Sequence, residues 1–579
     1  MEAWRLRVIV ALLGVAAAVL AGRLFQLQLL DGTRLGARAI RQRIYVETLE
    51  ARPGEIVDRN GRLLAISVRA ASLYAVPNAI RDSDRFARLV APVVGIDAGR
   101  LAADLKRNKA KSFLWIRRRL DPDAASAVRD LDLPPASWGF REEFLRHYPQ
   151  GVVAAHVIGL RDIDNAGRGG IEQRYDELLR GRDGRRIMLR DARGRVVDVR
   201  RIDPPEAGRT LVLTIDTVVQ LFAEQELDRL VAEHAPLGAC AIVIDVATSD
   251  LLAIASRPTF DPNAPAAAPA DAWTNRAVSA VYEPGSTFKP LVVAWAIDAG
   301  LLEADESIDC EGGAYRIGRR ILHDHHGYGD LSVTDVLVKS SNIGMAKIGE
   351  RLGTEGLHRC VCAFGFGRPT GASLPGEQPG SVRPLDRWND YSIGSVPMGH
   401  EIAVTPLQLI TAHTALANGG RLVSPRLVLQ DADADFSDRI QDSTDRYPQV
   451  TSRVVEPEVA KWVVGTAMAE VVRRGTGRAA RLDDFTVFGK TGTAQKFDAE
   501  AGRFSNDRHV VSFVAGAPAE NPRVIVLVMA DEPTGAAQSG GGVAAPATAR
   551  ILERTLRYVG VSDVRSDTLP RQSSTQGAL

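Results

Sequence analysis

Cysteine is scarce in this 579-residue chain: Cys240, Cys310, Cys360 and Cys362 are the four present. Four are too few for a disulfide framework at this length, and the spacing of Cys360 and Cys362 does not fit a zinc ribbon. They read as buried small hydrophobes, with one structural disulfide as the competing reading. Net charge is nearly absent as well, at +1, so composition gives no electrostatic argument for a nucleic-acid partner. No internal repeat is visible. Long apolar runs are missing except at the start of the chain. With 45% hydrophobic and 25% charged residues the rest has an ordinary globular composition, and its length calls for two or three folded units.

The apolar run at the start follows Arg5 and Arg7 and extends uncharged from Val8 to Gly22; after Arg23 comes Leu24-Phe25-Gln26-Leu27-Gln28-Leu29-Leu30. The uncharged core falls short of the roughly 20 residues that span a bilayer, but Arg23 can snorkel and let a helix continue to Leu30. Residues 1–30 are therefore expected to be a short cytoplasmic start and a transmembrane anchor. Small residues at Ala16–Ala18 keep a cleaved signal peptide as the alternative, and both readings export the remainder of the chain.

Residues 40–205 predict an α+β module without evident chemistry. In it, Asn60-Gly61 between two apolar runs signals a hairpin with both turn residues at positive φ. A Pro-rich joint at Asp203–Gly208 precedes the β-branched run Leu211–Asp216, which opens a second unit over 210–560. Val218–His234 has helical spacing; Cys240–Val246 with Leu251–Ala255, and Val510–Ala515 with Val524–Ala530, read as strand pairs. Strands at both ends of a domain with helices between them predict one antiparallel sheet covered by helices. The polar residues 562–579 are expected to be a disordered tail.

The chemistry is concentrated in Tyr282-Glu283-Pro284-Gly285-Ser286-Thr287-Phe288-Lys289-Pro290, which runs into the apolar, helix-compatible Leu291–Ala299. Three residues are nearly one turn, so Ser286 and Lys289 project on one face and are expected to meet within hydrogen-bond reach. A serine hydroxyl becomes a nucleophile when an adjacent base takes its proton, and a lysine desolvated among apolar neighbours can be neutral enough to do so. Alone, Ser-x-x-Lys is weak, because it occurs by chance on solvated helices. Two further elements come later in the chain, Ser340-Ser341-Asn342 after Lys339 and Lys490-Thr491-Gly492-Thr493 after Gly489; together the three match the penicillin-recognising serine acyl-transferases. Ser340 can pass a proton between Lys289 and a leaving amine, and Asn342 can bind a substrate amide and hold Lys289. Lys490 supplies a cation for a terminal carboxylate, with Thr491 and Thr493 as hydroxyl donors to it. Gly492, lacking Cβ, is expected to let a substrate backbone lie along the strand, with the N–H groups of Ser286 and Thr493 as oxyanion hole.

The whole chain resembles the class B penicillin-binding proteins, the monofunctional peptidoglycan D,D-transpeptidases. Beyond the three motifs, Arg52-Pro53-Gly54-Glu55-Ile56-Val57-Asp58-Arg59-Asn60-Gly61 is similar to that family's pedestal signature. So are Arg146-His147-Tyr148-Pro149, His156-Val157-Ile158-Gly159 and Gly169-Gly170-Ile171-Glu172. Phe364-Gly365-Phe366-Gly367, Leu374-Pro375-Gly376-Glu377, Thr405-Pro406-Leu407-Gln408 and Gly475-Thr476-Gly477 resemble catalytic-domain landmarks. The resemblance implies an α+β fold: a five-stranded antiparallel sheet with helices on both sides, on an elongated α+β pedestal of the dimerisation type, behind a transmembrane helix. It implies cross-linking of peptidoglycan stem peptides through an acyl-enzyme formed on Ser286 from D-Ala-D-Ala donors, and β-lactams as ligands. Implied partners are a membrane-embedded glycan polymerase and other division proteins, with the catalytic domain on the periplasmic side of the cytoplasmic membrane. No cofactor or metal is implied. Tyr282–Ser286 and the surroundings of Gly170–Glu172 are more similar to septal than to elongation members. Glu401, in Met398-Gly399-His400-Glu401-Ile402, departs from the second glycine that many relatives carry and leaves the rim of the site there undefined.

Other readings weigh less. Gly489-Lys490-Thr491 cannot end a phosphate-binding loop, because the glycine required at position 484 is Asp484. Gly475-Thr476-Gly477-Arg478-Ala479-Ala480 satisfies a dinucleotide fingerprint literally, but comes after the helical Val459–Val472 and reads as a helix-terminating loop. His323-Asp324-His325-His326 reads as a polar loop leading to Ser340, since adjacent residues rarely share one metal in good geometry. Arg117-Arg118-Arg119 reads as a solvated face, with contact to partner proteins or anionic head groups as the alternative. A D,D-carboxypeptidase or β-lactamase would use the same acyl-serine with water as acceptor, and a non-catalytic β-lactam sensor would keep the fold; an elongation-type transpeptidase is the alternative within the family. The intact set of five polar residues and the size of the chain favour a transpeptidase. No glycosyltransferase signature precedes residue 205, so a bifunctional synthase is not expected.

Overall fold

The computed structural model describes residues 3–34, 44–190, 196–318, 320–431, 451–498, 502–535 and 537–562; the expected tail beyond residue 562 lies outside them. The chain folds into two compact units that interleave along the sequence. One comprises residues 1–53, 69–145 and 180–208; the other comprises 54–68, 146–179 and 209–579. The second unit thus takes up Gly54–Val68 and Arg146–Leu179, so the units do not follow a single cut near residue 205.

In the first unit, a helix over Ala3–Phe25 continues through a π-helical turn to Leu30. Residues Ala3–Leu30 form a helix long and apolar enough to cross a membrane. Helices Ser83–Val94 and Ala98–Arg107 are capped by Asp82 and Asp97, whose side chains accept from the amides of Arg85 and Arg100. Their apolar faces, with Phe86, Val90, Leu101 and Leu105, form a small core with Leu73 and Leu120 from neighbouring strands. Strands Ile44–Leu49, Gly184–Arg190 and Val196–Asp203 make a separate antiparallel sheet. Arg118 is not a solvated residue: it pairs with the buried Glu143 at 2.5 Å, whereas Arg117 is exposed.

The second unit is built on strands β1 (Gly238–Asp245), β2 (Leu251–Arg257), β3 (Phe488–Asp498), β4 (Arg503–Ala517) and β5 (Val524–Asp531). They form one antiparallel sheet in the order β2-β1-β5-β4-β3, which leaves β3, the strand of Lys490–Thr493, at an edge. Side chains alternate between the two faces of the sheet, except at a register shift in β2 that puts both Leu252 and Ala253 on one face. Ala239, Ala241, Val243, Val526, Val528 and Phe513 face a core closed by helices α1 (Thr217–His234) and α6 (Gly540–Tyr558). Cys240, Ile242, Ile244, Leu527 and Val514 face the opposite core, which includes α2 (Lys289–Asp298), α3 (Val333–Lys339), α4 (Asn342–Ala363) and α5 (Pro406–Ala417). Both faces are covered, so β1, β2, β5 and Val510–Ala515 of β4 read as nearly continuous apolar runs. Three of the four cysteines are buried and free, as expected of small hydrophobes; Cys362 is exposed, and no disulfide forms.

The Asn60-Gly61 hairpin is present, but only Gly61 has positive φ, at 79°. Asp58 Oδ1 accepts the amides of both Asn60 and Arg62 at 2.8 Å, and Asn60 Nδ2 donates to Asp216 at 2.8 Å. An aspartate-closed loop therefore replaces the two-residue turn. Glu172, fully buried, lies between Arg146 Nε at 2.6 Å and Arg161 Nη1 at 2.9 Å, and Arg146 also donates to the Gly54 carbonyl at 2.6 Å. The three signature segments around Gly54, Arg146 and Glu172 thus share one buried ion network inside the second unit.

Candidate active site

Ser286 lies in a 3-10 turn, Gly285–Phe288, that runs directly into α2, where Pro290 occupies the first turn. Gly285 has φ +55° and its amide donates to the Gly399 carbonyl at 3.1 Å. A Cβ on Gly399 would lie 2.1 Å from the Gly285 oxygen, so the loop ahead of Glu401 is pressed against the turn. From α5, His413 Nε2 donates to the Thr287 carbonyl at 2.8 Å, and burial pulls its pKa down to about 4, which keeps the imidazole neutral.

Lys289 is fully buried. Its Nζ donates to the Ser340 carbonyl at 2.7 Å, Asn342 Oδ1 at 2.9 Å and Ser340 Oγ at 3.2 Å. Ser340 Oγ in turn donates to Ser286 Oγ at 3.0 Å. The expected direct contact of lysine and nucleophile is thus replaced by a link through Ser340. A desolvated amine needs acceptors, and the α3–α4 turn supplies them: Ser340 adopts φ +58°, which turns its carbonyl toward Lys289. Burial pulls the Lys289 pKa down to about 7, against the opposing charge of Asp324.

Lys490 is fully buried too, and its Nζ donates to Ser340 Oγ at 3.1 Å and to the Thr491 carbonyl and Oγ1 at 3.4 Å. Burial, aided by the Lys289 charge, moves its pKa well below the usual lysine range. Thr493 is exposed on the same strand, and its Oγ1 accepts the Gly540 amide at the start of α6 at 3.2 Å. The Thr493 carbonyl lies 3.1 Å from where a Gly285 Cβ would stand. Because N–H and C=O of one strand residue point to the same side, the Thr493 amide faces the nucleophile turn as well.

Ser286, Lys289, Ser340, Asn342 and Lys490 therefore form one polar cluster, with Thr491–Thr493 along its edge strand. The reason for Gly492 differs from the expected one. A Cβ there would meet Ser512 Oγ at 2.5 Å, Thr287 Cγ2 at 2.9 Å and the Pro284 carbonyl at 3.0 Å, so the glycine lets the nucleophile turn pack on β3.

Three site residues escaped the motifs. Thr476 Oγ1, in the loop that ends the helical stretch, lies 2.8 Å from Thr491 Oγ1. Only the resemblance of Gly475–Gly477 to a family landmark pointed there. Gly540 packs so closely that a Cβ would lie 2.5 Å from the Gly492 carbonyl, and nothing in the sequence marks it. Asp324, from the histidine-rich loop, accepts Ser341 Oγ at 2.6 Å. At the rim, Glu401 has φ +63°, in the left-handed region that glycine adopts without penalty. Its side chain engages Arg383 and Ser392, while its amide donates to Glu283 Oε1 at 2.9 Å and His400 Nδ1 lies 2.7 Å from Glu283 Oε2. Glu401 thus ties the rim to the segment immediately before Ser286.

Comparison with known proteins agrees with this architecture. Residues 239–553 match the family described as penicillin binding protein transpeptidase domain, and 48–213 the penicillin-binding protein dimerisation domain. The chain is 35% identical to the probable peptidoglycan D,D-transpeptidase PenA of Neisseria gonorrhoeae, covering 97% of this chain and 94% of that protein. It is 31% identical to the peptidoglycan D,D-transpeptidase FtsI of Escherichia coli K12, over 96% and 92%. Among solved structures, penicillin binding protein 3 of Mycobacterium tuberculosis complexed with aztreonam superposes with a TM-score of 0.68 at 26% identity, covering 89% of this chain and 98% of that one. Identity of this extent over nearly the full length of both chains, with matches to both domain families in this chain, places the chain in the class B penicillin-binding proteins, as a serine-type peptidoglycan D,D-transpeptidase.

Proposed function

We propose that the chain cross-links stem peptides by forming an acyl-enzyme on Ser286, and that it does so in septal wall synthesis. The observation that carries the mechanism is the continuous chain of contacts from Lys289 Nζ through Ser340 Oγ to Ser286 Oγ, at 3.2 and 3.0 Å. Neutral Lys289 takes the Ser286 proton by way of Ser340 as Oγ attacks the carbonyl of the penultimate D-Ala. The oxygen that becomes negative is met by the amides of Ser286 and Thr493. Collapse breaks the C–N bond, and the same proton returns through Ser340 to the departing D-Ala amine. An acceptor amine then attacks the ester, gives its proton back along that path, and leaves the cross-linked amide.

Edge strand β3 receives the donor peptide as an added strand. Lys490, Thr491 and Thr493 bind its terminal carboxylate, and the arriving anion favours a protonated Lys490. Asn342 holds both Lys289 and the substrate amide. The helix Ala3–Leu30 anchors the chain in the cytoplasmic membrane, with the catalytic unit outside. A membrane-embedded glycan polymerase supplies the strands, and β-lactams acylate Ser286 in place of the donor. The similarity of Tyr282–Ser286 to septal members, with a relative named FtsI, supports the division role.

Labelled penicillin tests the acyl-enzyme: covalent attachment disappears in Ser286→Ala and persists for many minutes in the native chain. Attachment that survives Ser286→Ala overturns the mechanism, and rapid release of hydrolysed drug favours a β-lactamase. Midcell enrichment of a tagged chain supports the septal role, and side-wall enrichment refutes it.

A further inference from the structure

Asp324 belongs to none of the three motifs, yet its carboxylate is devoted to one of them. Oδ2 accepts the Ser341 hydroxyl at 2.6 Å. Oδ1 accepts the amide of Ile343 at 3.2 Å and that of Asn342 in a shorter contact. Ser341 Oγ then accepts the Gly344 amide at 2.9 Å. The first three amides of α4 are thus satisfied by two side chains, one of them brought in from a separate loop. The residue before Asp324 adds a fourth tie, as the His323 carbonyl accepts from Asn342 Nδ2 at 3.2 Å.

These ties converge on the turn that Lys289 uses. Ser340, at φ +58°, lies in the left-handed region that costs a non-glycine residue about 1–2 kcal/mol, so something must hold it there. Its carbonyl and Asn342 Oδ1 are the two shortest contacts of Lys289 Nζ. If the turn relaxed toward a regular helix start, both acceptors would leave the amine, and Ser340 Oγ would leave Ser286.

We propose that Asp324 is a positioning residue for acylation: by clamping the Ser341–Ile343 backbone it holds the Ser340 carbonyl, Ser340 Oγ and Asn342 Oδ1 on Lys289. The inference rests on the roles given above to Ser286, Lys289, Ser340 and Asn342. It has an electrostatic corollary, because the Asp324 charge opposes the effect of burial and helps Lys289 keep its proton. The other charged and titratable groups facing this pair are Lys490 on Ser340 Oγ, Cys310 with Sγ 3.4 Å from Ser341 Oγ, Tyr328, and Lys347, paired with Glu311 at 2.7 Å. Burial and the Asp324 charge raise the pKa of Cys310 and Tyr328, so both are neutral where Lys289 titrates. His323, His325 and His326 flank Asp324 and are exposed; Gln substitutions at these three positions serve as controls.

The test is the second-order rate of labelling by a fluorescent penicillin, on the full-length chain in detergent, from pH 5.5 to 9, with unfolding midpoints alongside. In Asp324→Asn the plateau rate falls by about 10- to 100-fold, as expected when a catalytic group is displaced by up to an ångström. The acid limb also moves to lower pH, because Lys289 has lost the charge that favours its ammonium form. Ser341→Ala, which removes a cap and keeps the charge, lowers the plateau without moving the limb. A native rate and profile in Asp324→Asn overturns the proposal, and so does a lost rate with an unmoved limb. Should that variant not fold, Asp324→Glu is expected to label at least tenfold more slowly with the limb in place, and native labelling by it overturns the proposal. None of these outcomes bears on whether Ser286 is the acylated residue, which Ser286→Ala decides separately.

Discussion

Lys289 and Lys490 converge on one oxygen: the Nζ atoms lie 3.2 and 3.1 Å from Ser340 Oγ. Two fully buried amines around one hydroxyl cannot both stay charged without cost, and each pKa is depressed, that of Lys289 to about 7. This depression sets the sign of the pH dependence. Below pH 7 Lys289 carries its proton and cannot accept one from Ser286; above it the neutral amine can. Penicillin acylation should therefore rise about tenfold per pH unit on the acid side and level off above pH 7 to 8. Stopped-flow labelling from pH 5.5 to 9 measures this, and a rate independent of pH across that range would remove Lys289 as the base.

The role of that shared oxygen can be separated from the backbone that carries it. Ser340 sits at φ +58°, a conformation glycine adopts without penalty. Ser340→Gly thus deletes the hydroxyl that links Lys289 to Ser286 while easing the turn. Acylation should fall by about 10²- to 10⁴-fold, the usual scale for a lost proton-transfer group. The unfolding midpoint should stay level or rise slightly. A Ser340→Gly enzyme that acylates at the native rate would show that the lysine reaches the nucleophile unaided.

Fold and site were legible in the sequence wherever the signal was local. Ser286, Ser340 and Lys490 stand in short motifs with fixed chemistry, and β1, β2, β5 and the Val510–Ala515 part of β4 are apolar runs of strand length, so motifs and most of the sheet could be read from the sequence. Asp324 could not, because its partners Ser341–Ile343 belong to another loop and its neighbours invited a metal reading. The packing of Pro284 and Thr287 against Gly492 was not legible either, since it is a tertiary contact between the nucleophile turn and β3. The Asn60-Gly61 hairpin forms, but without positive φ at Asn60, because Asp58, two residues before it, offers the backbone an acceptor. The expected Ser286–Lys289 contact failed because helical spacing fixes a shared face, whereas the amine's own acceptors decide where its tip goes.

Glu172 offers a test of stability. It is fully buried between Arg146 and Arg161, and removing it leaves two guanidinium groups without their shared anion. Glu172→Ala should destabilise the second unit by about 3–5 kcal/mol, visible in a denaturant titration followed by tryptophan fluorescence. Replacing all three residues by apolar ones of similar volume should recover part of that loss. A Glu172→Ala protein as stable as the native one would mean that the network contributes little to the fold.

Gly492 joins packing to chemistry most directly. A methyl group there would meet Ser512 Oγ at 2.5 Å, Thr287 Cγ2 at 2.9 Å and the Pro284 carbonyl at 3.0 Å. Of these, the Ser512 hydroxyl is the end of a side chain and can move, whereas the Pro284 carbonyl is backbone in the turn that carries Ser286. Gly492→Ala should therefore push β3 away from that turn by a few tenths of an ångström or more, lowering acylation by about 10- to 100-fold. Adding Ser512→Gly removes the closest clash and leaves the other two, so the double variant should recover only part of the rate; the two sites are in contact, and their effects should not add. Full recovery would place the constraint in the cross-strand pair alone, and a native rate in Gly492→Ala would show that the turn and β3 are free to separate without cost to the chemistry.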